Sequence, residues 1–124
     1  MTCPCGGADF ESCCGPILAG APAVTAEQLM RSRFTAFARG EVGYLRDSWH
    51  PATRPRRLDL DEGLTWRRLQ IVATGTGGAA DQEGWVEFRA SYRTSAGAHG
   101  VLHERSRFRR TRQGWRYLDG EFPD

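Results

Sequence analysis

The sequence predicts an α+β domain carrying a small cysteine knuckle at its N-terminal end, and three observations lead there. Four cysteines fall within CPCGGADFESCC, residues 3–14, and none occurs elsewhere in the chain. Apolar residues between positions 25 and 40 recur at helical spacing. From residue 64 onward the apolar period shifts toward two, in four runs separated by short turns. Helices followed by a meander of strands place the helices on one side of an antiparallel sheet.

The knuckle comes first in the chain. Cys3 and Cys5 form C-x-C, and Cys13 and Cys14 are adjacent after a seven-residue gap. In a reducing compartment a four-thiolate cluster reads as tetrahedral zinc. Pro4 and the Gly6–Gly7 pair favour a tight turn that brings backbone N–H groups toward sulfur. Neither half has the common C-x2-C spacing. Disulfide chemistry at the vicinal pair Cys13–Cys14, unliganded thiols and iron–sulfur ligation stay open as alternatives. A closed four-cysteine site leaves no free coordination position, so it would be structural or a docking knob rather than catalytic. The N-terminal dozen residues lack the basic segment and apolar run of a signal peptide. No stretch approaches the roughly 20 apolar residues a membrane span requires. A cytoplasmic protein with reduced thiols is therefore expected, with no membrane partner.

The expected organisation is a knuckle over residues 1–18, a linker over 19–24 and an α+β domain over 25–124. The stretch 15–23, GPILAGAPA, has linker composition throughout, with Ile17 and Leu18 able to tie it down. A helix follows over 25–40, with Thr25 as N-cap, Gln28 closing a capping box and Gly40 as the stop. Its apolar stripe is Met30, Phe34, Phe37 and Ala38, with Leu29 beside them. A second helix is expected from Glu41 to Trp49, with Val42, Leu45 and Trp49 as its apolar set and Pro51 ending it. Residues 51–63 read as a connection, with Arg54, Arg56 and Arg57 ahead of Asp59, Asp61 and Glu62. It would be a solvated loop, a short helical turn, or an edge over a pocket. Strands are expected over 64–77, 84–94, 99–110 and 114–120. In the first, Leu69, Ile71 and Ala73 share a face. In the second, Val86, Phe88, Ala90 and Tyr92 oppose Glu87, Arg89 and Arg93. The glycines at 75, 77 and 78 suit a hairpin better than a phosphate site.

Composition narrows the functional classes. A chain of 124 residues suits one domain plus a small appendage. A net charge of +2 gives only a weak pull toward polyanions. All 17 basic residues are arginine, which offers bidentate recognition of carboxylate or phosphate, although coding bias accounts for it more simply.

Strand parity supplies the candidate cavity residues. In VLHERSRF, residues 101–108, Leu102, Glu104, Ser106 and Phe108 share a face. Leu102 and Phe108 call for the interior, so Glu104 and Ser106 would face inward and need partners. Arg33 lies within the aromatic stripe of the first helix, and a buried Glu104–Arg33 pair follows, tying helix to sheet or orienting a ligand. With the opposite parity His103, Arg105 and Arg107 would be inside instead. Tyr44 and Trp49 are further wall candidates. His50 is a candidate proton exchanger, against the plainer reading of a hydrogen bond at a helix end. His99 and His103 read as polar strand residues rather than metal ligands. Arg105, Arg107, Arg109, Arg110 and Arg112, with Phe108 interleaved, supply an RNA-binding alternative.

CPCGGADFESCC resembles the SEC-C motif, with a spacer one residue shorter than the usual form. The resemblance implies Cys3, Cys5, Cys13 and Cys14 as zinc ligands and, by analogy, a protein partner for the knuckle. LMRSRFTAF at 29–37, Tyr44–Leu45, WHP at 49–51, HERSRF at 103–108 and GWRYLDG at 114–120 together resemble the YchJ-like family. This implies the cone-like fold of nuclear transport factor 2 relatives, with helices lying across a strongly curved sheet and a cavity at the open end. That fold hosts enzymes, binding proteins and structural dimers, so it selects no reaction. Three functions follow. The first is a binding or adaptor protein with a knuckle for a protein partner, narrowly preferred. The second is a small-molecule enzyme or sensor using the cone. The third is an RNA-associated protein using the arginine hairpin. Whether the chain is an enzyme stays open, as does homodimerisation through the outer sheet face. An apolar cavity lined by Arg33, Tyr44, Trp49 or Glu104 would favour the second function, and a filled interior would oppose it.

Overall fold

A computed structural model describes residues 2–123. Residues 1 and 124, the outer ends of the two expected domains, lie outside the described residues. After the first cysteine pair the chain makes a 3-10 turn at Phe10–Ser12 and a short helix, α1 (Cys14–Leu18). Residues 15–18, of linker composition, are therefore helical. Pro16 is no obstacle there, because the N–H it lacks would have had no acceptor in a first turn.

Helix α2 (Ala26–Arg39) begins as its sequence indicates. Thr25 is extended, and its Oγ1 accepts the N–H of Gln28 at 3.1 Å. The return bond of the capping box lands one residue earlier than expected, with Gln28 Oε1 accepting from the Val24 N–H at 2.8 Å. At the other end Gly40 takes a left-handed φ of 72°. This lets its own N–H reach Phe37 O and the N–H of Glu41 reach Ala36 O, which satisfies two end carbonyls. Helix α3 (Val42–Asp47) stops two residues short of the expected Trp49. The chain is drawn onto the last strand instead. Tyr117 donates its backbone N–H to Ser48 O at 2.8 Å, and His50 donates to Tyr117 O at 2.7 Å. Residues 51–63 form turns without helix or strand.

Four strands follow: β1 (Leu64–Thr76), β2 (Glu83–Thr94), β3 (His99–Thr111) and β4 (Gly114–Glu121). They pair antiparallel in the order β1-β2-β3-β4. The fold is thus α+β, as the change of period indicates. Register shifts at Trp66/Arg68 and Ile71/Ala73 each leave an extra residue in β1, and the shift opposite Arg107/Phe108 leaves Leu118 extra in β4, which bends and twists the sheet locally. The parity expected for Leu102, Glu104, Ser106 and Phe108 holds: Ser106 and Phe108 are buried, while His103 and Arg105 reach Glu87 on the outer face.

Val86, Phe88, Ala90, Phe108 and Trp115 of the sheet pack with Leu29, Met30 and Phe34 of α2. Cys3, Cys5 and Cys14 belong to the same buried cluster, so the knuckle and α2 share one core. Trp115 keeps its indole satisfied there by donating Nε1–H to Val24 O at 3.2 Å.

Candidate metal centre and ligand cavity

The four cysteine Sγ atoms lie within 4.8 Å of one another, and all four thiols are free. Tetrahedral ligands about 2.3 Å from a zinc ion would stand roughly 3.8 Å apart, so the set fits such an ion with little movement. Cys5 Sγ and Cys13 Sγ are already 3.5 Å apart. The turn expected at Gly6–Gly7 is present: Gly6 has a φ of 100°, and the Cys3 N–H bonds to Gly7 O at 3.0 Å. Position 7 also has no room for a side chain, since a Cβ there would come within 2.7 Å of Cys13 Sγ.

Electrostatics explain why this cluster suits a cation. The hydrogen bond from Cys14 draws the Cys5 thiol down to about 4, aided by the Gly7 backbone. That bond and burial push Cys14 far up, while burial and the Cys5 charge push Cys13 up to about 11. Without a metal, Cys13 and Cys14 therefore keep their protons beside the Cys5 thiolate. A divalent ion bound by all four sulfurs would compensate their charge and release those protons.

Helix α2 reaches into the centre. Thr35, fully buried, donates its hydroxyl to Cys14 Sγ at 3.3 Å and lies 3.7 Å from Cys3 Sγ. Arg31 Nη1 donates to Cys5 O at 3.0 Å while its Nε holds Glu27. Sequence reasoning missed both residues. Their only signal was a polar i, i+4 pair on a helix whose opposite side is apolar.

On the other side of α2 lies a cavity of about 230 Å³ between the helix and the inner face of the sheet. Phe34, Phe37, Trp66, Phe88 and Leu102 form its apolar wall, with Trp66 edge-on to both Phe34 and Tyr92. Arg33, Trp49, Glu104, Ser106 and Tyr117 form its polar end. Four of the residues singled out from sequence therefore come together here: Arg33, Trp49, Glu104 and Ser106.

The expected direct bond between Arg33 and Glu104 is replaced by an arrangement through Tyr117. Arg33 is 3% exposed and has no carboxylate within ion-pair range among the described residues. Its Nη1 donates to Leu45 O at 2.9 Å and to Ser48 Oγ at 2.7 Å. Its Cζ stands 4.5 Å from the Tyr117 ring centroid and 5.2 Å from that of Trp49. Nε and Nη2 have no acceptor among the described residues. Burial lowers Arg33 to about 10, which leaves it cationic at neutral pH. Across Tyr117, Glu104 Oε2 accepts from the Ser106 hydroxyl and from the Tyr117 hydroxyl, the latter at 3.3 Å. Glu104 Oε1 has no donor among the described residues. Burial, then the Glu104 charge, pushes the Tyr117 phenol upward. Tyr117 was missed from sequence, although it lies two residues after the buried Trp115 and so shares its strand face.

Tyr44 and His50 lie outside this cavity. Tyr44 bonds Ser32 Oγ at 2.6 Å and lines a separate groove with Leu29 and Arg116, because α3 packs on the side of α2 that carries Ser32. His50 Nδ1 accepts from the Ala52 N–H at 3.0 Å in the turn after α3. The arginine hairpin is largely engaged with neighbours. Arg105 bonds Glu87 at 2.9 Å and stacks on Trp85, Arg107 makes a two-pronged pair with Asp119 at 2.6 Å, and Arg109 meets Glu83 at 3.3 Å. Arg110 stacks on Trp115 and bonds Gly78 O, leaving Arg112 as the exposed member without such a contact among the described residues. His103 and then Arg105 hold Glu87 below its usual range, and Arg107 does the same for Asp119. The strip therefore alternates basic and acidic groups.

Comparison with known proteins bears on the family and the fold. The family model for the YchJ middle NTF2-like domain matches residues 25–120. A UPF0225 protein of Streptomyces coelicolor is 53% identical over 98% of this chain and 96% of its own length. A UPF0225 protein of Geobacter sulfurreducens is 46% identical over 95% of this chain and 77% of its own. Among solved structures, a SEC-C motif containing protein from Rhodopseudomonas palustris superposes with a TM-score of 0.87 at 34% identity, covering all of both chains. A second, from Psychrobacter arcticus, gives 0.80 at 27% identity over all of this chain and 84% of its own.

Proposed function

The chain belongs to the YchJ family of UPF0225 proteins, with its NTF2-like domain over residues 25–120, and we propose that this domain is a small-molecule binding or sensing unit braced by a structural zinc knuckle. One observation carries the reading. Arg33 is buried with no carboxylate in ion-pair range among the described residues, and it lines an apolar cavity whose polar end also holds Glu104. A buried cation that served only to tie helix to sheet would be saturated by the groups around it. Here part of the guanidinium and one carboxylate oxygen have no partner among the described residues and border an open space, as in a ligand site with few convergent polar groups. An interior without that space would have left the knuckle as the main functional element.

Zinc in the knuckle would be held by Cys3, Cys5, Cys13 and Cys14. Four protein ligands leave no position for substrate, so the metal would fix the N-terminal loop to α2. The proposal includes a cytoplasmic setting that keeps the thiols reduced.

Native mass spectrometry of the chain purified without added metal tests the whole reading. One zinc per chain and a retained organic mass support it. Protein lacking two or four hydrogens and holding no metal sinks the knuckle assignment. A second copy or a co-purifying protein, with no organic mass displaced from the cavity, returns the adaptor reading to first place.

A further inference from the structure

Resting on the cavity reading above, we infer that the ligand is a small zwitterion with an apolar body: a carboxylate for Arg33, an ammonium for Glu104, and a body about the size of one ring. Three features of the cavity select this class.

Charge is the first. The polar end holds one cation, Arg33, and one carboxylate, Glu104, with the Tyr117 hydroxyl bonded to the carboxylate between them. A doubly charged anion such as a phosphate monoester would meet Arg33 at one end but turn its second charge toward Glu104. A simple cation would meet Glu104 but face Arg33. Both losses grow where the surrounding walls are apolar. A ligand carrying both charges, each beside its opposite, avoids them.

Hydrogen-bond capacity is the second feature. Two of the five Arg33 N–H donors lie on Nη1, which serves Leu45 O and Ser48 Oγ. The three on Nε and Nη2 meet no acceptor among the described residues, and a carboxylate is the acceptor that takes two of them side by side. Glu104 Oε2 already accepts from Ser106 and Tyr117, which leaves Oε1 to accept one further donor. The site therefore asks for an acceptor group and a donor group on the same head.

Size and lining are the third. About 230 Å³ is on the order of eight waters of liquid volume, and below the roughly 300 Å³ at which drug-sized sites begin. Phe34, Phe37, Trp66, Phe88 and Leu102 surround the space away from the polar end, so the rest of the ligand is apolar.

The test is an NMR titration of the zinc-loaded full chain, read at the indole N–H signals of Trp49 and Trp66. Trp85, on the outer sheet face under Arg105, is the control. The probes are L-phenylalanine, 3-phenylpropionate, phenethylamine and toluene. The expected result is tightest binding of phenylalanine, with removal of either charge costing about tenfold or more. Glu104→Gln keeps the shape and removes the charge. It should weaken phenylalanine about tenfold and leave phenylpropionate unweakened. Arg33→Met, checked for folding by its spectrum, should likewise weaken phenylalanine about tenfold and leave phenethylamine unweakened. Phenylpropionate, phenethylamine or toluene binding as tightly as phenylalanine overturns the zwitterion assignment while leaving the cavity as a ligand site. If no probe moves either indole at millimolar concentration, both the assignment and the cavity reading fall.

Discussion

Thr35→Val is the sharpest probe of the link between helix α2 and the cysteine centre. The substitution removes one hydroxyl, preserves branching at Cβ and sits at a fully buried position. In the native chain that hydroxyl is 3.3 Å from Cys14 Sγ and 3.7 Å from Cys3 Sγ. It has a single proton, so it supports one sulfur at a time. Loss of an outer donor to a metal ligand typically costs 10- to 100-fold in affinity. One proton shared between two sulfurs points to the lower end, about tenfold, or about 1.4 kcal/mol. The assay is competition for zinc against a chromophoric chelator at neutral pH, with the cobalt-substituted protein as an independent spectroscopic check. Thr35→Ser keeps the donor and loses a methyl, so it should hold metal more tightly than the valine variant despite lower stability. Valine and native proteins that agree within about twofold, or a serine variant as weak as valine, would refute the argument from the hydroxyl.

Three other outcomes follow from the same structure. Phe34→Ala should lower stability by about 3 kcal/mol in chemical denaturation, the low end for a buried aromatic, because one side of the ring already borders the cavity rather than packed atoms. Thr25→Ala should cost about 1 kcal/mol by removing the oxygen that accepts the Gln28 N–H, read as a shift in denaturation midpoint without change of slope. Lowering the pH from 7 toward 5 should release metal. The raised pKa values of Cys13 and Cys14 mean that metal must displace their protons, and added protons reverse the exchange. Native mass spectra across that range would show the metal lost as pH falls, and retention at every pH would contradict the thiolate assignment.

What the sequence made legible was what depends on near neighbours. Thr25, Gln28 and Gly40 delimit α2 because caps act over three or four residues. The inward parity of Glu104 and Ser106 follows from Leu102 and Phe108 two residues to either side. Placement that depends on distant backbone was not legible. Trp49 leaves the helical path because residues 48 and 50 bond to Tyr117, some seventy positions away. The same bonds bring the Tyr117 ring beneath Arg33, which turns an expected ion pair into two charges separated by a phenol. Tyr44 was misplaced for a rotational reason. Its position is set by which side of α2 receives α3, and periodicity on α3 alone does not fix that.

The feature that unites the two candidate sites is the rotation of side chains around α2. Arg31 and Thr35, four residues apart, present one polar face to the cysteines. Met30, Arg33, Phe34 and Phe37 present the adjoining face to the cavity. A helix buried on two faces cannot shift toward one site without moving at the other, since packed interiors transmit displacement rather than absorb it. This gives a physical reason for a four-cysteine cluster to accompany a cavity on the same helix. The knuckle packs on α2 next to the face that carries Arg33, so a change at the cysteines should also be felt in the cavity. Precision at a buried polar site depends on such packing, because a guanidinium displaced by about 1 Å loses the geometry that distinguishes one head group from another.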